Sequence, residues 1–188
     1  MNYGGPDGEI GASMRYLSQR FTAPNRVCMA VLTDVATEEL GHLEMVSTIV
    51  HQLTANLTVE EIENQGFADY YVDHAVGIWP QSAGGIPFNS CEFQSKGDPI
   101  TDMFESMAAE QKARSTYDNI LRVVRNIPEI ADPIRFLRAR EVVHFQRFGE
   151  ALQSLQDQLN SKNFYQMNPS FDTGLTREPC DCQGECVQ

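Results

Sequence analysis

The stretch LTDVATEELGHLEMVSTIVHQL, residues 32–53, decides the fold. Leu32, Val35, Val46, Ile49 and Leu53 lie on one helical seam, built from steps of three and four residues. Glu39 and His42 stand on the same seam, where the pattern calls for apolar side chains. A second stretch, IRFLRAREVVHFQRFGEALQSL over residues 134–155, repeats the design. Its seam is Ile134, Leu137, Phe148, Ala151 and Leu155, and Glu141 and His144 interrupt it at the same offset. Composition alone places a Glu three residues before about one His in twelve. Here the pair occurs at two of the four His, each time on a core seam.

Two further helical segments contribute one acid each. Met103, Met107, Glu110, Ala113, Tyr117, Ile120 and Val124 form a third seam, with Glu110 on it and Glu105 rotated off. In a first, shorter segment Glu9 leads a stripe of Ala12, Tyr16 and Gln19 or Arg20. Each helix therefore sends a carboxylate inward, and two of them add an imidazole.

Buried carboxylates without partners are costly, by several kcal/mol per ion even after relaxation. Protonation would relieve them, at the expense of four raised pKa values in one place. Pairing with Arg114, Arg138 or Arg140 is the plain structural alternative. Two divalent or trivalent cations answer the problem directly, because the carboxylate oxygens become ligands. Glu, Glu-x-x-His, Glu, Glu-x-x-His is the carboxylate-bridged dimetal pattern of helical bundles. Oxygen-rich sites with imidazoles suit iron or manganese, and the spacing does not separate the two. Zinc, which favours fewer and softer ligands and has no redox chemistry, fits less well.

The rest of the chain agrees with such a bundle. Residues 4–20 are expected to form the first helix, opened by GGPDG with Pro6 in its first turn and Asp7 and Glu9 at its positive end. The second runs from about Pro24 or Asn25 to Leu53, and Thr58 caps a short helix ending before Gly66. Residues 66–97 carry GIWPQSAGGIPFNS and read as irregular. Asp98-Pro99 opens a helix to about Arg125. Asp132-Pro133 repeats that signal for a last helix to about Asn160. The expected organisation is an all-α, ferritin-like four-helix bundle over residues 1–160 with a long crossover connection. An extended polar tail covers 161–188.

The formal charge of −12 disfavours nucleic acid as a partner. No apolar run is long enough for a membrane span, and MNYGGPDGEI has neither the basic start nor the apolar stretch of a signal peptide. Five Cys, three of them in the tail at Cys180, Cys182 and Cys186, argue against a disulfide framework. The tail CDCQGEC can hold a soft metal, form crosslinks, or carry ordinary thiols.

The stretches YGGPDGEIGASMRYLSQRF, DVATEELGHLEMVSTIV, KGDPITDMFESMAAEQKARSTY, DPIRFLRAREVVHFQRFGEAL and KNFYQMNPSFD resemble the manganese catalase family, most closely its spore-coat-associated branch. The resemblance implies metal ligation by Glu9, Glu39, His42, Glu110 and His144, with Glu39 bridging two manganese ions. It implies that Glu141 is the carboxylate beside the bridging solvent that takes and returns protons. It also implies that Tyr16, seven residues from Glu9, hydrogen-bonds near the cluster. The implied substrate is hydrogen peroxide, and the implied assembly is a hexamer with tails crossing between subunits. The implied setting is the bacterial mother-cell cytoplasm, with assembly into the spore coat beside other coat proteins. Members of the family usually carry more residues before the YGG motif, which implies either a weakly anchored first helix or a misassigned start. Some members also place an Arg just before the third-helix ligand, where this chain has Ala109, which implies a different gate to the metals.

Two other functions compete. A di-iron oxidase or peroxidase of the rubrerythrin or ferritin type would make Glu141 a sixth ligand and iron the metal. It would need a reductant, and the chain has Cys-x-Cys rather than paired Cys-x-x-Cys motifs. A structural spore-coat component would keep the fold without turnover. Of the remaining residues, His51 is expected at a surface or edge and Met103 and Met107 in the core. Glu38 and Glu44 are expected to be solvated or paired on the helix flank. Trp79 and Phe88 are expected to anchor the long connection, and His74 lies within it.

Overall fold

A computed structural model of the chain describes residues 2–68, 82 and 86–161. Its α-helices there are α1 (Glu9–Gln19), α2 (Arg26–Thr54), α3 (Val59–Asn64), α4 (Pro99–Val124) and α5 (Pro128–Ser161). His74, Trp79 and the tail cysteines lie outside the described residues.

Local chemistry sets most boundaries where the sequence places them. The Asn25 side chain accepts from Cys28 N at 2.9 Å and starts α2. Thr58 and Glu61 form a reciprocal capping box on α3, and Gly66 follows the helix at φ 73°. Asp98 accepts from Thr101 N at 2.8 Å, with Pro99 at the start of α4.

Two boundaries differ from expectation. The GGPDG segment is a turn rather than the opening of α1, which begins at Glu9. Gly8 N donates to Gly5 O at 2.9 Å and Glu9 N to Asn2 O at 3.1 Å, so the turn folds back on the helix. A Cβ on Gly11 would sit 2.6 Å from the Pro6 carbonyl oxygen, so only glycine admits this approach. Asp7 in the same turn pairs with Lys112 of α4 at 2.9 Å. The first helix is therefore tied down, contrary to the weak anchoring expected of it. At the other end, α5 starts at Pro128 rather than Pro133. Ile130 N and Ala131 N both donate to Ile127 O, at 3.1 and 2.8 Å. Pro133 then falls inside the helix, where it lacks the N–H that would donate to the Glu129 carbonyl.

Helix α4 packs along α5, α1 along α2, and α2 crosses α5. Two apolar layers form. One contains Tyr16, Cys28, Leu32, Val35, Met103, Phe148 and Leu152, and the other Val46, Tyr117, Ile134 and Leu137. Met107 packs against the first layer, so both helix methionines fill the core as expected. Chain order through the layers shows that α2 and α4 run in one direction and α1 and α5 in the other. With 29 residues, α2 spans about 43 Å, and the chain must return that length before α4 begins. This is the crossover topology of the ferritin-like four-helix bundle. Within the connection, Phe88 lies against Phe93 with ring centroids 5.9 Å apart. The α2 seam leaves the core at its end, where Leu53 is exposed.

Candidate metal centre

Between the two apolar layers lies a polar one. Glu9, Glu39, His42, Glu110, Glu141 and His144 are each 2% exposed or less. All six of the seam-interrupting residues read from the sequence thus turn inward and meet, together with fully buried Tyr16. His51 is exposed on the bundle surface, as expected.

The two imidazoles stack with centroids 5.4 Å apart and 21° between planes. Glu39 sits along their Nδ1 edge: its Oε2 is 2.7 Å from His42 Nδ1 and its Oε1 is 2.6 Å from His144 Nδ1. Glu9 and Glu141 approach His42 Nδ1 at 3.9 and 3.7 Å, and Glu110 approaches His144 Nδ1 at 3.4 Å. Glu39, His42, Glu141 and His144 each offer a ligand atom within 4.8 Å of the others.

Tyr16 and Tyr117 close the cluster reciprocally. Tyr16 Oη donates to Glu110 Oε1, and Tyr117 Oη donates to Glu9 Oε1. Each tyrosine lies seven residues beyond one acid and bonds the acid of the other helix. The sequence reading placed Tyr117 only in the core stripe, although the same seven-residue step that marks Tyr16 after Glu9 marks Tyr117 after Glu110. Phe148 holds Tyr16 from behind, edge-on at 4.8 Å.

The electrostatics are those of a site short of positive charge. Burial, then the Glu39 charge, pushes Glu9 well above the usual carboxylate range. Burial, then Glu110, raises Glu39. Burial with Glu110, Glu39 and Glu9 raises Glu141 further. Burial opposes charging of His144, but the Glu110 and Glu39 carboxylates close against it outweigh that and lift the ring to about 10. His42 is lowered, chiefly by burial.

Arginine pairing does not account for the buried acids. Arg140 bonds Glu38, and Arg114 and Arg138 both bond Asp118. Buried Arg15 lies 5.3 Å from the Tyr16 ring centroid and 3.8 Å from Asp7, one charge against four carboxylates. Glu39 Oε1, Glu110 Oε2, Glu141 Oε1 and His144 Nδ1 are buried without an aligned hydrogen bond. Oxygens and a ring nitrogen that converge without bonding one another are a donor set for hard, redox-capable cations.

Fold and site together define a helical-bundle protein with a buried carboxylate–histidine cluster that could hold metal ions. Comparison with known proteins narrows the class: residues 2–169 match the family model of manganese-containing catalases, and the chain belongs to that family. It is 44% identical over 163 residues to protein CotJC of Bacillus subtilis strain 168, covering 87% of this chain and 85% of the relative. It is 30% identical over 161 residues to a probable manganese catalase of Clostridium acetobutylicum, covering 86% of this chain and 71% of that one. The crystal structure of KatB, a manganese catalase from Anabaena, superposes with a TM-score of 0.73 at 28% identity, over 82% of this chain and 69% of KatB.

Proposed function

We propose that this chain binds two manganese ions and disproportionates hydrogen peroxide to water and dioxygen. The observation that carries the reading is Glu39, which presents one carboxylate oxygen to each of two parallel imidazoles. If each imidazole held its own cation, Glu39 would be placed to serve both. Glu9 and His42 would then hold one ion, and Glu110 and His144 the other. When bound, the manganese pair supplies two-electron storage, so that one peroxide is oxidised to dioxygen and a second is reduced to water without an external donor.

The protein's own groups do the rest. Glu141 lies at the cluster, its Oε1 3.7 Å from His42 Nδ1, so it would accept a proton from peroxide and return it to the oxygen that leaves as water. Tyr16 and Tyr117 fix the free oxygens of Glu110 and Glu9 and so hold the donor geometry. The six cluster residues are each 2% exposed or less, which limits bulk water among them. A hexameric assembly, a spore-coat setting and formation in the mother cell follow from the sequence resemblance and belong to the same proposal. Among the described residues no helix is long and apolar enough to cross a membrane.

One observation favours a second reading. Glu141 falls in the compact group with Glu39, His42 and His144, which suits a six-ligand, di-iron centre. Elemental analysis of protein from its native source, with oxygen release from peroxide measured on the same sample, separates the two. Two manganese per chain with donor-free oxygen release supports the catalase. Iron without oxygen release supports the di-iron protein.

A further inference from the structure

Glu38 sits immediately before Glu39 but reaches the opposite edge of the same two rings. Its Oε2 lies 3.1 Å from His144 Nε2, and its Oε1 lies 3.7 Å from His42 Nε2. Both Nε2 atoms are buried and lack an aligned hydrogen bond, and the carboxylate within 4 Å of each is Glu38 among the described residues. Arg140 of α5 grips Glu38 with both arms, Nε to Oε1 and Nη2 to Oε2, the latter at 3.0 Å. Consecutive glutamates thus enclose the stacked imidazoles, Glu39 on the Nδ1 edge and Glu38 on the Nε2 edge. Glu38 is also the partly exposed member of the set, 29% open at its side chain, so it stands where the cluster meets solvent.

We propose that Glu38, locked by Arg140, is the positioning residue for both metal-facing imidazoles. Its charge, 3.1 Å from His144 Nε2 and 3.7 Å from His42 Nε2, favours the N–H of each ring at Nε2 and leaves each Nδ1 lone pair for the cluster. An imidazole has one proton to place when neutral, and an acceptor at one nitrogen frees the other as a ligand. One carboxylate serves two rings because each of its oxygens faces a different Nε2. The guanidinium fork holds the carboxylate plane, which a Lys at position 140 cannot do. Glu38 touches no cation in this scheme and acts only through the two histidines. The inference rests on the dimetal reading above.

The test measures manganese affinity by chelator competition on the full chain, for the unsubstituted protein and for E38Q, E38A and R140Q. Thermal melting of each metal-free form is measured beside it. Loss of such an outer partner characteristically weakens metal binding by about 10–100-fold. E38A is expected to show that loss, and E38Q a smaller one, because its single carbonyl oxygen can serve only one ring. R140Q should also weaken binding, with metal-free melting unchanged in all three. Nitrogen-15 spectra of the zinc-loaded, histidine-labelled protein should show both rings with the proton on Nε2, and E38A should disturb that pattern. Affinities within twofold of the unsubstituted chain would overturn the role of Glu38 while leaving the dimetal reading intact. Melting temperatures that fall in step with affinity would reassign Glu38 to general packing. Failure of the unsubstituted chain to bind manganese at all would remove both.

Discussion

Tyr117→Phe is the sharpest probe of the centre, because it deletes one oxygen and nothing else. The ring is fully buried in the layer with Val46, Ile134 and Leu137, and phenylalanine keeps that packing. What disappears is the hydroxyl that donates to Glu9 Oε1. A hydrogen bond to a charged group contributes about 1.5–3 kcal/mol. In the metal-loaded protein that amount appears as weaker retention, and each 1.4 kcal/mol is about tenfold in affinity. Manganese should therefore bind roughly 10–100-fold more weakly, in line with the usual effect of removing an outer partner of a ligand. Chelator competition followed by elemental analysis reads this directly, with melting of the metal-free form as the control for packing. Tyr16→Phe removes the reciprocal bond to Glu110 and should act similarly. Since both acids share one cluster, the double variant should depart from simple addition. A Tyr117→Phe protein that holds two manganese ions with unchanged affinity would refute the claim that the phenol positions Glu9.

Three other perturbations separate the roles of neighbouring groups. Glu141→Gln should keep both cations and lower oxygen release by about 10²–10⁴-fold; loss of a cation by elemental analysis would make Glu141 a ligand instead. The metal-free protein should melt at higher temperature near pH 5.5 than near pH 8. Glu9, Glu39 and Glu141 are raised in the folded state, and His144 is raised to about 10. The folded chain therefore binds more protons than the unfolded one above the ordinary carboxylate range. Stability falls as pH rises, by about 1.4 kcal/mol per pH unit for each differing proton. The lowered His42 opposes this only below its ordinary value. Manganese should reverse the trend, and a flat or opposite pH profile of the metal-free melt would count against the assigned shifts. Gly11→Ala should destabilise by about 1–3 kcal/mol in thermal or urea unfolding, since the added methyl meets a backbone oxygen at 2.6 Å that no side-chain rotation can relieve.

The legible part of the site was the part written within single helices. Glu39, His42, Glu110, Glu141 and His144 were identifiable because each occupies a seam position otherwise held by Leu, Val, Ile, Phe or Met, and a polar residue there needs a partner. Cap chemistry marked Asn25, Thr58 and Asp98 for the same local reason. Glu38 was hidden because its role is a relation between helices. On a helical wheel it lies on the flank, and only the crossing of α2 over α5 brings it to His144 and Arg140. The GGPDG turn misled for a related reason. Pro and acidic residues also favour turns, and the deciding contact, the Pro6 carbonyl against Gly11, depends on the turn folding back.

Protons and cations compete to neutralise the same acids. Without a cation, burial and mutual repulsion favour protons on Glu9, Glu39 and Glu141, with Glu9 bonded to Glu39 and Glu141 to Glu110. Tyrosine hydroxyls bond one oxygen each of Glu9 and Glu110. Carboxylates that serve as ligands must first lose their protons, so the two ways of neutralising the cluster exclude one another. On the dimetal reading, the metal-free protein would carry a cost in stability at neutral pH that manganese would remove, and folding and metal loading would be coupled through the same four carboxylates.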